Sequence, residues 1–159
     1  MSKLQYSLNK ILKLQNVMIE KIDLEKEKID LNLIVDKMQS YIKVNGAIQI
    51  GPLIQHSKTY MNEKGELMVE VYIFMQCNKF IYNLEKRYRM ESVMRIPNCM
   101  YCRYVGIEEK LKFAYDKINL EAFENDIELT GESYTVYVEQ NEEEGIIVAD
   151  VFMPKKEEG

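Results

Sequence analysis

From Leu67 to Gln76 the chain alternates, with Val69, Val71 and Ile73 on one side and Met68, Glu70, Tyr72 and Phe74 on the other. That period of two predicts a strand. The preceding stretch Leu53 to Tyr60 and the turn residues Asn62-Glu-Lys-Gly65 make it the second arm of a β-hairpin. Upstream, Ile29, Leu33, Asp36, Lys37, Ser40 and Tyr41 follow three-and-four spacing, and Leu31, Ile34, Val35, Met38 and Ile42 fill a buried face. This predicts a helix from Ile29 to Val44, ended by Asn45-Gly46. Before it, Leu14, Val17, Ile19 and Ile22 with charges between them read as a strand over Leu14 to Leu24. Residues 1–13 place apolar side chains at Leu4, Leu8, Ile11 and Leu12, a pattern open to a short helix or to a strand leading into the core.

The same order returns downstream. A strand from Ser92 to Val105 precedes a helix from Glu108 to Glu124, and the hairpin Ser133 to Glu139 and Ile146 to Met153 turns at Asn141-Glu-Glu-Glu-Gly145. The recurrence is visible residue by residue at an offset of 80: Gly51, Gly65, Glu70, Val71 and Tyr72 fall on Gly131, Gly145, Asp150, Val151 and Phe152. The first strand recurs two residues later, with Asn16-Val-Met-Ile-Glu-Lys21 against Asn98-Cys-Met-Tyr-Cys-Arg103. Two copies of a small module in one chain predict a pseudo-two-fold axis and a groove along it. The expected architecture is α+β: duplicated β-α-β-β modules forming a mostly antiparallel sheet, both helices on one face. Module one spans about 14–76, a crossover 77–92, module two about 93–154, and the end from Lys155 is a solvated tail.

Composition narrows the choice of partner. A chain of 159 residues with 47% hydrophobic and 30% charged residues suits one domain, burying about 70% of its unfolded surface. Net charge of −5 works against nucleic-acid binding, which relies on Lys and Arg neutralising phosphates. No apolar run reaches the roughly 18 residues a membrane helix needs, and the first residues lack the form of a signal peptide, so no membrane association is expected. Three cysteines, an odd number, fit a reducing compartment, and the expected location is the cytoplasm.

Three stretches carry a family resemblance: Tyr101-Cys-Arg-Tyr-Val-Gly106 before the second helix, Gly131 followed by Val136-Tyr137-Val138, and the closing Ala149-Asp-Val-Phe-Met-Pro154. With the duplicated order over nearly the whole chain, they resemble the GyrI-like superfamily, the effector-binding domains of multidrug-responsive transcription regulators. The resemblance implies a small-molecule binder. It departs from the family where ligand-binding members usually carry a glutamate two residues before the tyrosine of the penultimate strand; here that residue is Thr135. The residues ahead of the first repeat are also too few for the helical DNA-binding domain of such regulators, which implies a free-standing member. Such members include sequestering binders, a gyrase inhibitor and a few hydrolases.

The candidate site follows from carboxylates framed by aromatic rings, which hold organic cations by charge and by ring-face attraction of roughly 0.5–2 kcal/mol per ring. Glu70 would be the charge partner, with Tyr72, Tyr101, Tyr104 and Tyr137 as walls of a groove between the repeats. The expected ligand is a hydrophobic organic molecule, neutral or cationic, with no catalytic residue, metal or cofactor. The alternatives are a protein-docking or inhibitor module, favoured by Thr135, and a small-molecule hydrolase using a carboxylate and a tyrosine as acid and base. Cys99 and Cys102 have the spacing of a redox or zinc pair, yet residues three apart on a strand face opposite ways. His56, the single histidine, has no neighbouring nucleophile in sequence. The basic stretch Lys86-Arg-Tyr-Arg89 reads as a solvated connector and Glu142-Glu-Glu as a hairpin turn.

Overall fold

A computed structural model describes residues 3–157. Their elements run β1 (Lys3–Lys21), α1 (Leu31–Val44), β2 (Ile54–Met61), β3 (Leu67–Gln76), β4 (Tyr88–Ile107), a 3-10 turn (Glu108–Lys110), α2 (Lys112–Glu124), β5 (Glu132–Asn141) and β6 (Ile146–Pro154). This is the α+β, twice-repeated β-α-β-β order that the patterning predicts. Every strand pairing is antiparallel, and the sheet curls until it closes on itself in the order β1-β3-β2-β5-β6-β4. Both helices lie on the outer face of that ring. Among the described residues no helix is long and apolar enough to cross a membrane.

The duplication extends to individual hydrogen bonds. Asn45 N–H donates to Tyr41 and Ala47 N–H to Ile42, as Asn125 donates to Glu121 and Ile127 to Ala122. Cys77 N–H reaches the carbonyl of Asn16 and Lys155 N–H that of Asn98. Asn16 and Asn98 share a left-handed backbone, φ 48° and 60°, a conformation Asn tolerates better than most residues. The pseudo-axis passes where a residue faces its own repeat: Gln55 pairs with Thr135 across β2 and β5, and Lys13 with Arg95 across β1 and β4. Closing the ring therefore takes two contacts, each joining a strand to its symmetry mate.

The long strands depart from expectation. Residues 3–13 continue β1, so that strand runs 19 residues and pairs with β4 along most of its length. Register shifts between Ser7 and Lys10 and between Lys10 and Leu12 break the period of two, which is why Leu4, Leu8 and Ile11 look helical in sequence. Likewise β4 begins at Tyr88, inside the stretch read as crossover, because Tyr88 to Glu91 pair with Glu20 to Val17. The first helix begins at Leu31, where Asp30 caps it by accepting from Leu33 N–H at 3.1 Å. The 3-10 turn delays the second helix to Lys112.

Three apolar clusters result. Met18, Ile73 and Met75 pack under Met38 and Ile42 of α1; Met100, Tyr104, Ala149 and Val151 pack under Ala114 and Ile118 of α2. The third fills the ring itself with Leu14, Val17, Ile19, Ile54, Phe74, Tyr101, Tyr134 and Phe152. The space along the pseudo-axis is thus occupied by the protein's own side chains.

Candidate functional site

Alternation along each strand decides which residues face the ring interior. On β3, Phe74 and Tyr72 belong to the interior cluster while Ile73 and Met75 lie under α1, so Glu70 shares the interior side. On β6, Phe152 faces inward between the outward Val151 and Met153, and Asp150 follows Phe152. Each carboxylate meets a cation from the same repeat position, Lys21 corresponding to Arg103, and a tyrosine from a different one, since Tyr72 matches Phe152 and Tyr101 matches Ile19. Arg103 clasps Asp150 with two bonds, Nε to Oδ1 at 2.7 Å and Nη2 to Oδ2 at 2.9 Å. Tyr101 donates its hydroxyl to Oδ1 at 2.8 Å. Burial, together with that carboxylate, pushes the Tyr101 phenol up to about 12. Its ring tilts against Phe152 at 5.0 Å and carries Lys10 Nζ 4.9 Å from its centre. The second module's carboxylate and rings therefore already hold the protein's own cations.

The first module's copy is looser. Lys21 Nζ reaches Glu70 Oε2 at 3.5 Å, and 60% of the Lys21 side chain is exposed against 38% of Arg103. Tyr72 donates to Glu70 Oε1 at 3.0 Å and Tyr60 to Oε2 at 3.4 Å. The Tyr72 bond holds the Glu70 carboxyl below its ordinary range, so it is ionised at neutral pH. Beside Glu70 opens a cavity of about 380 Å³, bounded by Ile22, Leu24, Tyr60 and Met68 and by two further carboxylates, Asp23 and Glu25. Three carboxylates against one lysine make its wall net negative.

Of the five residues singled out from sequence, Glu70 lines this cavity, Tyr72 orients Glu70, and Tyr101 serves the symmetric position. Tyr104 and Tyr137 do not face the interior. Tyr104 is fully buried beneath α2 with its hydroxyl donating to the Ile107 carbonyl, and Tyr137 packs on the same cluster. The reason is parity: Tyr101 and Tyr104 are three apart on one strand, as Cys99 and Cys102 are, and so point to opposite faces. Thr135 also lies under α2, hydrogen-bonded to the Tyr115 hydroxyl, so a carboxylate at that position would not reach the interior.

His56 and Tyr60 share the interior side without any motif in the sequence that marks them. Buried in the ring, His56 stacks on Tyr134 at 4.2 Å and 4° and on Tyr72 at 5.4 Å and 22°. Its Nε2 lies 3.5 Å from Glu132 Oε1, within ion-pair range but without hydrogen-bond alignment. His56 holds the Glu132 carboxyl below the usual range. The signal available in sequence was alternation, which places Ile54, His56, Lys58 and Tyr60 on one side of β2. All three cysteines are free and buried, and burial pushes the Cys99 thiol up to about 11. Thiolate attack is correspondingly suppressed: the native protein is expected to resist a thiol-reactive dye for hours at pH 8, and to release three equivalents within minutes in guanidinium.

No protein-family model matches the sequence, and no curated protein matches it. Among solved structures the chain is similar to EcmrR in its DNA complex, with TM-score 0.62 and 17% identity over 99% of this chain and 58% of that one. It is similar as well to the crystal structure of the EcmrR C-terminal domain, with TM-score 0.61 and 16% identity over 99% and 98% of the two chains. The chain therefore spans somewhat over half of EcmrR and nearly all of its C-terminal domain. The likeness is one of fold, shared with the EcmrR C-terminal domain over nearly the whole of both chains.

Proposed function

We propose that the protein binds a small hydrophobic organic cation, with Glu70 as the charge partner and the cavity between Lys21–Glu25 and β3 as the site. The observation that carries this reading is the asymmetry of the duplicated carboxylates. Asp150 is clasped by two guanidinium bonds and the ring of its partner Tyr101 is covered by Lys10, whereas Glu70 has one long lysine contact and an open cavity beside it. A bound cation would take at Glu70 the place that Arg103 takes at Asp150, with Ile22, Leu24 and Met68 receiving its apolar body. The shared fold with the EcmrR C-terminal domain is compatible with this reading, and no catalytic step is part of it.

The test is a thermal-shift screen against hydrophobic cations and their neutral isosteres. At a hundred times its dissociation constant a ligand stabilises by about 2.7 kcal/mol. For a domain of this size that raises Tm by roughly 5–10 °C. The rise is expected for cations, not for the neutral compounds, and is lost in Glu70→Gln. A second reading, docking of a protein, draws on the filled ring interior and on Met61, Leu67 and Val69 exposed on the β2–β3 hairpin. A screen in which no cation shifts Tm rejects the first reading and leaves the second.

A further inference from the structure

The connection from β1 to α1, residues 22–30, is more than twice as long as its counterpart in the second module, residues 108–111. With the first turns of α1 and with Arg87 it encloses a cavity of about 340 Å³. Ile22, Ile29, Leu33 and Ile34 supply its apolar lining, and Lys26, Lys28, Lys37 and Arg87 bring cations to it. In a chain of net charge −5 such a convergence is unexpected.

Little in the protein answers these charges. Among the described residues, Lys26, Lys28 and Lys37 make no ion pair within 4 Å, and Arg87 pairs only with the exposed Glu85 at 3.3 Å. The repeat shows what a satisfied version looks like: Lys117, the counterpart of Lys37, is held by Glu121 at 2.8 Å, whereas the residue matching Glu121 is Tyr41. Of the carboxylates on the wall, Asp30 is engaged by Leu33 N–H and Asp23 by Glu25 N–H, each at 3.1 Å. Those bonds do not cancel the two carboxylates, which stand with Glu20 against Lys21, Lys26, Lys28, Lys37 and Arg87, so cations still outnumber anions on the wall; half-buried Glu20 has Arg87, Lys37 and Lys26 acting on it, and burial nevertheless raises its pKa.

We propose that this cavity is a second binding site, for an organic anion with an apolar body such as an aryl or acyl carboxylate. The anion head meets Lys37, Arg87 and Lys26, the body rests on Ile29, Leu33 and Ile34, and Glu20 competes with the ligand for the same cations. The site shares Lys21, Ile22 and Asp23 with the Glu70 cavity but is otherwise separate from it and does not depend on it.

The experiment is calorimetric titration of the full chain with 2-naphthoate, with the neutral 2-naphthamide and with inorganic phosphate, folding of each variant being checked by circular dichroism. One naphthoate per chain is expected, more tightly held than either control and weakened by added salt. Lys37→Gln and Arg87→Gln are each expected to weaken it roughly fivefold. Glu20→Gln is expected to tighten it, because the competing carboxylate is gone, and Lys110→Gln, an exposed lysine of the second module outside the cavity, to leave it unchanged. The proposal is overturned by absent naphthoate binding, by naphthamide or phosphate binding as tightly, by indifference to Lys37→Gln and Arg87→Gln, or by equal weakening in Lys110→Gln. Should one of the two cation variants fail to fold, the other together with Glu20→Gln still decides the matter.

Discussion

Gly131→Ala is expected to destabilise the protein by about 3–5 kcal/mol, while Gly51→Ala, its counterpart in the first repeat, costs about 1 kcal/mol. Both glycines have positive φ, 93° and 77°, so both substitutions carry backbone strain. They differ in what the new methyl group meets. At Gly131 it would sit 2.4 Å from the carbonyl oxygen of Thr59, a backbone atom of β2 that cannot yield alone; at Gly51 it meets the end of the Gln76 side chain at 3.3 Å, which can swing away. Thr59 N–H also donates to the Gly131 carbonyl at 3.0 Å, so making room pulls apart the pairing by which β2 and β5 close the ring. Urea unfolding of both variants measures the difference, and the midpoint Tm of Gly131→Ala should fall by roughly 10 °C. Equal costs for the two glycines would mean that the β2–β5 contact gives way readily, and that the ring is closed in name only.

That closure is the part of the fold least legible in the sequence. The modules, the hairpins and both helices are written in local periodicity, and the offset of 80 residues announces the repeat. The contact of Gln55 with Thr135 leaves no such mark, because each repeat presents the same polar strand edge and its complement is its own copy. The long strands hide for another reason. Bulges after Ser7 and Lys10 shift the apolar positions of β1 into helical spacing, and the charges at Arg87 and Arg89 disguise the start of β4 as a connector. In each case the information lies in pairing between distant segments.

The candidate site was legible in the same uneven way. Glu70 and Tyr72 come together as the alternation of β3 requires. Ring chemistry alone points to Tyr104 and Tyr137, while the parity that sets Cys99 apart from Cys102 turns Tyr104 away from Tyr101. The partners of the carboxylates were also within reach, since the two offsets carry Lys21 onto Arg103 and Glu70 onto Asp150. What periodicity could not supply was the grip: a guanidinium fork can take both oxygens of a carboxylate, and an ammonium on a flexible stem cannot.

That difference in grip carries the second large effect. Asp150→Ala is expected to cost about 2–4 kcal/mol, since it strands Arg103 and the hydroxyl of Tyr101, a residue only 9% exposed. The lower part of that range applies to the extent that Arg103, 38% exposed in its side chain, turns to water. Glu70→Ala is expected to stay within about 1 kcal/mol, because Lys21 is already mostly solvated and the hydroxyls of exposed Tyr60 and part-buried Tyr72, which also lose Glu70, can turn to water. Replacing Arg103 and Asp150 together by leucine should recover most of the loss, as hydrophobic residues commonly do for covered ion pairs. Chemical denaturation of the three variants settles the comparison. A carboxylate that stability does not need is available for a ligand, and one that holds the sheet together is not. If Glu70→Ala proved as costly as Asp150→Ala, Glu70 would be a structural group like its repeat, and the cation site would lose its reason for standing in the first module.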